Sequence, residues 1–262
     1  MEVHPRSASA DDARWALTVD TDAGRDRALV TVAMPEGTLV GARRLMDTIP
    51  AELRRVRAGI SPGGRFVALA VAQEEVGPVL LLEVYTADLA TRVLAFDEAD
   101  RIGAWDFARD AAGRDVLVYT RGPELVLADL ETEGAPTRVV LDELGDGALD
   151  PRGRRSLVMV SGAAYDRPGW VVLSFAICRD NGGTNCPPGA LWAQDKLALV
   201  SLDETPRVLN LAWHRSALGG SRHPHALPSR DLRRIVFEST WGDAGTAELY
   251  LIELPADALG AP

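Results

Sequence analysis

His223 and His225 stand two residues apart in the segment His-Pro-His, and His214 lies nine residues before the first of them. The segment reads as a short strand, so both imidazoles leave the same face. Imidazole is a common metal ligand, and a glycine-containing loop separates His214 from the pair. Three histidines make an open centre in which a divalent ion keeps one position for water or substrate. His214, His223 and His225 are therefore the candidate metal ligands. The structural use of the same pair is that each ring bonds to a neighbouring sheet and seals the assembly.

A working site also needs a carboxylate and a surface for its ligand. Asp106 and Trp105, in the segment GAWDF, and Arg167, in the turn before Trp170, supply these. The candidate ligand-contact set is His223, His225, Asp106, Trp105 and Arg167, and no residue is assigned as catalytic. The chain has no Gly-x-Ser-x-Gly elbow for a nucleophilic serine, no G-x-G-x-x-G and no Walker loop. Trp170 opens an apolar alternating stretch and Trp213 ends one, which predicts packing between sheets. Trp192 and Trp241 lie near loops and are the better surface candidates. Cys178 and Cys186 flank the loop RDNGGTN. They are either two free thiols or a disulfide closing that loop.

These residues are carried by a repeating pattern. A short stretch, a polar turn and an apolar alternating stretch recur with second stretches at Phe66 (FVALAVA), Asp115 (DVLVYT), Trp170 (WVVLSFAI) and Arg234 (RIVFES). Two further alternating stretches follow each of the first three. A recurring four-strand unit of roughly 40–50 residues is the signature of propeller blades. Helix patterns are weak, confined to a turn within 45–56 that Pro50 interrupts. Without periodic helices between strands a parallel βαβ sheet is excluded. The reading is an all-β propeller of four-stranded antiparallel blades. Four units plus one built from residues 14–56 make about five. The last unit shows three strands, and an N-terminal strand is expected to complete it and close the ring, removing an exposed edge. Residues 1–12 are predicted to be a disordered tail, and residues 13–262 a single domain.

Composition bounds the partners. Apolar residues are 47% of the 262, enough for a sizeable core, and the formal net charge is −10. A phosphate-binding face must be basic, which excludes nucleic acid as the expected partner. The same charge argues against an anionic membrane surface. No run of apolar residues is long enough for a transmembrane helix, and the first residues, MEVHPRSASADDAR, lack a signal-peptide core. A soluble, cytoplasmic monomer is expected, or an exported one if a leader precedes this sequence.

The turns carry a resemblance. Ser61-Pro-Gly-Gly-Arg65 before FVALAVA is similar to the TolB-type, WD40-like (PD40) propeller repeat, which reads S-P-D-G-R/K before an apolar strand. Asp150-Pro-Arg-Gly-Arg154 and Ser229-Arg-Asp-Leu-Arg233 are similar to the same turn. The resemblance covers about residues 57–254 and points to uncharacterised bacterial propellers. Distantly, the chain also resembles oligogalacturonate lyases of that superfamily, which hold a divalent metal in a pattern similar to Q-x-x-H-x-H. His223 and His225 match its histidines, and the glutamine position falls on Gly220. The resemblance implies two functions. One is a non-catalytic propeller holding a peptide, protein or small ligand, without a cofactor. The other is a divalent-metal-assisted lyase or hydrolase acting on an acidic sugar or other polar substrate.

Overall fold

Short apolar alternations punctuated by Gly, Pro and Asp turns fold here as strands. The computed structural model describes residues 8–21, 26–45, 55–72, 79–122, 124–142, 158–175, 196–214, 226–240, 246–255 and 257–259. The first sheet has three antiparallel strands, β1 (Arg14–Thr21), β2 (Asp26–Ala33) and β3 (Thr38–Arg44). Ala8 adds an isolated bridge to Trp15, in the place of a first strand. The second sheet runs β4 (Arg55–Ile60), β5 (Phe66–Ala72), β6 (Val79–Thr86) and β7 (Arg92–Asp97). The third runs β8 (Ile102–Arg109), β9 (Asp115–Arg121), β10 (Glu124–Asp129) and β11 (Thr137–Leu141). The fourth runs β12 (Val158–Ala163), β13 (Trp170–Phe175), β14 (Lys196–Ser201) and β15 (Val208–Trp213). The last has β16 (Leu227–Pro228), β17 (Arg234–Ser239) and β18 (Glu248–Glu253). A single short 3-10 turn, Glu98–Asp100, is the helical element among the described residues.

The chain is all-β, as its periodicity predicts, and strands β5, β11 and β17 begin and end where their alternation does. Three further expectations meet the described residues only in part. Of the stretch 45–56, in which a helical turn is expected, Arg55 and Val56 open β4, and residues 46–54 lie outside the described residues. Residues 8–12, the described part of the expected tail, form a turn whose Ala10 N–H donates to the Pro62 carbonyl at 2.9 Å. Finally, β1, β2 and β3 pair with one another, and no described N-terminal strand joins the β16–β18 sheet.

Contacts group the chain into two compact units: residues 1–103 with 114–117 and 128–137, and residues 104–113 with 118–127 and 138–262. In the first, the β1–β3 and β4–β7 sheets enclose Ala16, Leu29, Ile60, Val67, Leu69 and Tyr85. The two sheets approach closely: a Cβ on Gly41 would stand 2.4 Å from the Asp88 carbonyl oxygen. Nearby, the buried Thr31 hydroxyl donates to the Ala87 carbonyl at 2.7 Å. In the second unit, Trp170, Val172, Leu197 and Leu199 pack against Ala226, Leu232, Ile235 and Phe237. Each fully buried leucine contributes about 2 kcal/mol. Second strands β5, β9 and β13 are buried on both faces, which is why they read as nearly continuous apolar runs. Strand β17 alternates, with one face covered.

Candidate functional site

The polar turn between first and second strands is one device used repeatedly. In three copies a serine opens it and its hydroxyl accepts the amide N–H five residues on: Arg14 to Ser9 at 3.0 Å, Phe66 to Ser61 at 3.1 Å, Arg234 to Ser229 at 3.0 Å. The fourth residue of each turn adopts positive φ, at Asp12, Gly64 and Leu232. In the first and last copies the serine hydroxyl donates to an aspartate two residues on, Ser9 to Asp11 at 2.6 Å and Ser229 to Asp231 at 2.7 Å. That hydroxyl is the main reason both carboxyls are held below the usual aspartate range.

The middle copy has Gly63 at this position. There Ser61 donates instead to Asp115, the first residue of β9, at 2.7 Å, and the Gly63 N–H adds a bond of 2.9 Å to the same carboxylate. Asp115 is fully buried. Arg65 stands 3.6 Å from it and is bidentate on Glu131, whose carboxylate also accepts the Asp115 N–H at 2.6 Å. This cluster was not singled out by sequence reasoning. Its signal is an S-P-x-G-R turn lacking its own aspartate, followed by a unit that opens on one.

A second buried carboxylate lies in the same unit. Glu83 accepts the Tyr85 hydroxyl at 2.6 Å and Arg92 Nη1 at 2.8 Å, and the Arg43 guanidinium lies 4.7 Å from the Tyr85 ring centre. Burial pushes the Tyr85 phenol up to about 12, and the bond to Glu83 adds to the shift.

The candidate residues lie as follows. His223 and His225, with Cys178, Cys186, Trp192, Trp241 and the Asp150–Arg154 turn, are outside the described residues. His214 follows β15 and is fully buried. Its Nε2 lies 2.6 Å from the Phe175 carbonyl oxygen, which can only accept, so Nε2 carries the proton. The backbone carbonyl of His214 accepts the Ser239 hydroxyl. This bond engages Nε2, so a metal at His214 would have to be held through Nδ1. Among the described residues no three His, Cys, Asp or Glu side chains converge as a metal cluster.

Trp105 and Asp106 are adjacent on β8, so they leave opposite faces. Asp106 is buried, whereas Trp105 is half-buried and meets Phe107 edge-on, with centroids 6.1 Å apart. Arg167 is half-buried in the turn between β12 and β13. That turn is tied to β8 by Gly169 N–H donating to the Arg109 carbonyl at 2.8 Å and Arg109 Nη1 to the Tyr165 carbonyl at 3.2 Å. On its other side the Arg230 guanidinium is bidentate on Asp166, at 3.1 and 3.0 Å, and holds that carboxyl below its ordinary value. Trp105 and Arg167 thus sit on elements joined by hydrogen bonds. Trp170 is buried under the Arg207 guanidinium, as packing predicts. Trp213 is 57% exposed, its ring 4.8 Å from Lys196 Nζ, because β15 is the outer strand of its sheet. No described helix is long and apolar enough to cross a membrane.

No protein-family model matches this sequence, and no curated protein does. Solved structures do. An oligogalacturonate lyase in complex with manganese superposes with a TM-score of 0.54 at 15% identity, over 96% of this chain and 65% of the lyase. A putative TolB from Agrobacterium tumefaciens gives 0.48 at 12%, over 97% and 77%. The β-propeller domain of the Trilobed protease from Pyrococcus furiosus gives 0.45 at 14%, over 92% and 65%. The chain thus spans less than two thirds of the lyase it is similar to. TolB-like and lyase-type propellers, the two resemblances carried by the turns and the histidine pair, both stand among its structural neighbours. At this identity the likeness to the lyase shows the fold alone, which is all-β and built of antiparallel sheets.

Proposed function

We propose that this chain is a non-catalytic binding propeller whose sheets are five blades, and that it holds a peptide, protein or small ligand at the face carrying the inner strands. The observation that carries this reading is the use made of the buried polar groups. Asp115 is bonded to Ser61 and Gly63, Glu83 to Tyr85 and Arg92, and His214 to the Phe175 carbonyl. All three serve to fasten strands and turns, which is the economy of a scaffold. In a ring of blades the first strands line the channel, so Trp105 and Asp106 on β8, with Arg167 in the turn tied to its end, would meet the ligand together with His223 and His225. Loops 178–189 and 214–222 would shape the rim. The expected protein is a monomer that binds neither nucleic acid nor membrane.

Native mass spectrometry of the purified chain tests this reading. A bound mass that is lost on Trp105→Ala with Arg167→Ala is the expected result. Turnover of an acidic oligosaccharide by the purified chain would overturn it.

The second reading is a metal-assisted lyase or hydrolase, favoured by the manganese-bound lyase among the structural neighbours and by the spacing of His223 and His225. A divalent ion there would stabilise a developing oxyanion or lower the pKa of a bound water. The bond from His214 Nε2 to the Phe175 carbonyl would leave its part in that centre to Nδ1. Metal analysis with and without His223→Ala plus His225→Ala separates the readings. Stoichiometric metal that disappears in the double variant supports the enzyme.

A further inference from the structure

Strand β18 is third in its sheet but is clothed as an outer strand. The other third strands of the four-stranded sheets, β6, β10 and β14, are buried along most of their length. In β18 exposed and half-buried residues alternate, with Leu249 at 72% and Leu251 at 56% exposure. No described strand lies beyond it. The exposed side of the sheet is continuous: Leu227, Val236 and Leu251 stand in one cross-strand row, and Leu249 beside Glu238 in the next.

The ladder fixes which backbone groups point outward. The Leu254 N–H donates to the Arg233 carbonyl at 2.8 Å. Bonded and non-bonded pairs alternate in an antiparallel ladder. Tyr250 and Ile252 therefore turn their amides to β17, and Leu249, Leu251 and Glu253 turn theirs to the open side. Such an edge is a template for another strand. The sequence ELYLIE has neither the lysine nor the proline that blunts edges. Its charge is acidic at both ends, Glu248 and Glu253, with Glu238 alongside Leu249, and Arg234 is already paired with Glu253 at 3.3 Å. A second copy of this chain, itself of net charge −10, would bring the same glutamates to the junction. A basic segment would neutralise them.

We propose that the open edge of β18 takes an extended segment of another protein as a fourth antiparallel strand, one with apolar residues at alternate positions and Lys or Arg at its ends. Backbone bonds to Leu249, Leu251 and Glu253 would hold it, its apolar side chains would cover Leu249 and Leu251, and its cations would select it. This site is separate from the channel face discussed above and does not rest on that reading.

The probe is a labelled, end-blocked peptide of sequence RTVTVTR, titrated against the full chain by fluorescence anisotropy, with ETVTVTE as control. The basic peptide is expected to bind at least about tenfold more tightly than the acidic one, and less tightly as salt rises. Leu251→Pro removes an outward N–H without touching the ladder to β17, and is expected to weaken binding about tenfold or more with the circular dichroism unchanged. Should that variant misfold, Leu249→Lys with Leu251→Lys, both on exposed side chains, is expected to do the same by repulsion. Amide exchange at Leu249, Leu251 and Glu253 is expected to be fast in the free chain and about tenfold slower with peptide. Four results overturn the proposal. They are no binding to the folded chain, equal binding of the acidic peptide, slow exchange of these amides in the free monomer, and a concentration-dependent dimer that Leu251→Pro dissolves.

Discussion

The turns Ser61–Arg65 and Ser229–Arg233 are built to the same pattern and stabilised in different ways. In both, a serine hydroxyl accepts the N–H that opens the second strand and donates to a carboxylate. At Ser229 the carboxylate is Asp231, inside the turn and exposed. At Ser61 it is Asp115, from the next sheet and fully buried. Gly63 stands where the resembled repeat carries aspartate, and a Cβ there would meet Asp115 Oδ2 at 2.5 Å. A self-contained turn has become a fastening between two sheets. The same bonds therefore carry different weight: solvent replaces a lost exposed acceptor, while nothing replaces a buried one.

The largest effect should come from breaking the buried copy. Asp115→Ala strands the Ser61 hydroxyl, the Gly63 N–H and part of the Arg65 charge, and is expected to cost about 3 kcal/mol in urea denaturation. Asp115→Asn keeps one acceptor and should fall between that variant and the parent. A loss no larger than about 0.5 kcal/mol for Asp115→Ala would mean that the fastening carries no load.

Returning the repeat's own aspartate is the next test. Gly63→Asp alone puts a second carboxylate against Asp115 and should cost about 1–3 kcal/mol through overpacking and like charge. Combined with Asp115→Ser, the in-turn carboxylate can take over the Ser61 hydroxyl. The double variant should then be more stable than the sum of the single losses by about 1 kcal/mol. Strict additivity would show that the two carboxylates are not alternatives for one position.

The exposed copy gives the smallest effects. Asp231→Ala should leave the denaturation midpoint nearly unmoved beside that of Asp115→Ala. What it contributes is present at neutral pH and disappears in acid. The Asp231 carboxyl is held below its ordinary value by the Ser229 hydroxyl, so its contribution is complete above the unfolded aspartate pKa of about 4 and is lost as pH falls through the lowered folded value. Unfolding curves of parent and Asp231→Ala should thus converge below about pH 4. A gap that widens toward acid would reverse the assigned sign.

Much of this arrangement was legible in the residues. FVALAVA, TRVVL and RIVFES could be read as strands because apolar residues flanked by Gly, Pro and Asp turns have few other ways to hide their side chains. The turns at Ser61–Arg65 and Ser229–Arg233 could be located by their likeness to the S-P-D-G-R/K repeat, whereas the Ser9 turn, which lacks the arginine, reads as part of a tail. Trp170 could be placed in packing because it opens such a run. The histidine pair gave only a chemistry, since residue type says what can bind but not what already does.

What the linear order could not contain is which distant residues become partners. That Asp115 completes the turn of a sheet before it, that His214 Nε2 is taken by the Phe175 carbonyl, and that Trp213 stands exposed on an outer strand all follow from which surfaces meet. So does the edge of β18, beyond which no described strand lies. ELYLIE alternates as well as any buried third strand, and its exposure depends on whether a neighbour arrives. Local propensity and capping are written within a few residues of one another, whereas burial and hydrogen-bond partnership are properties of the assembled sheets, set by groups as distant as the 54 positions between Ser61 and Asp115 and the 39 between Phe175 and His214.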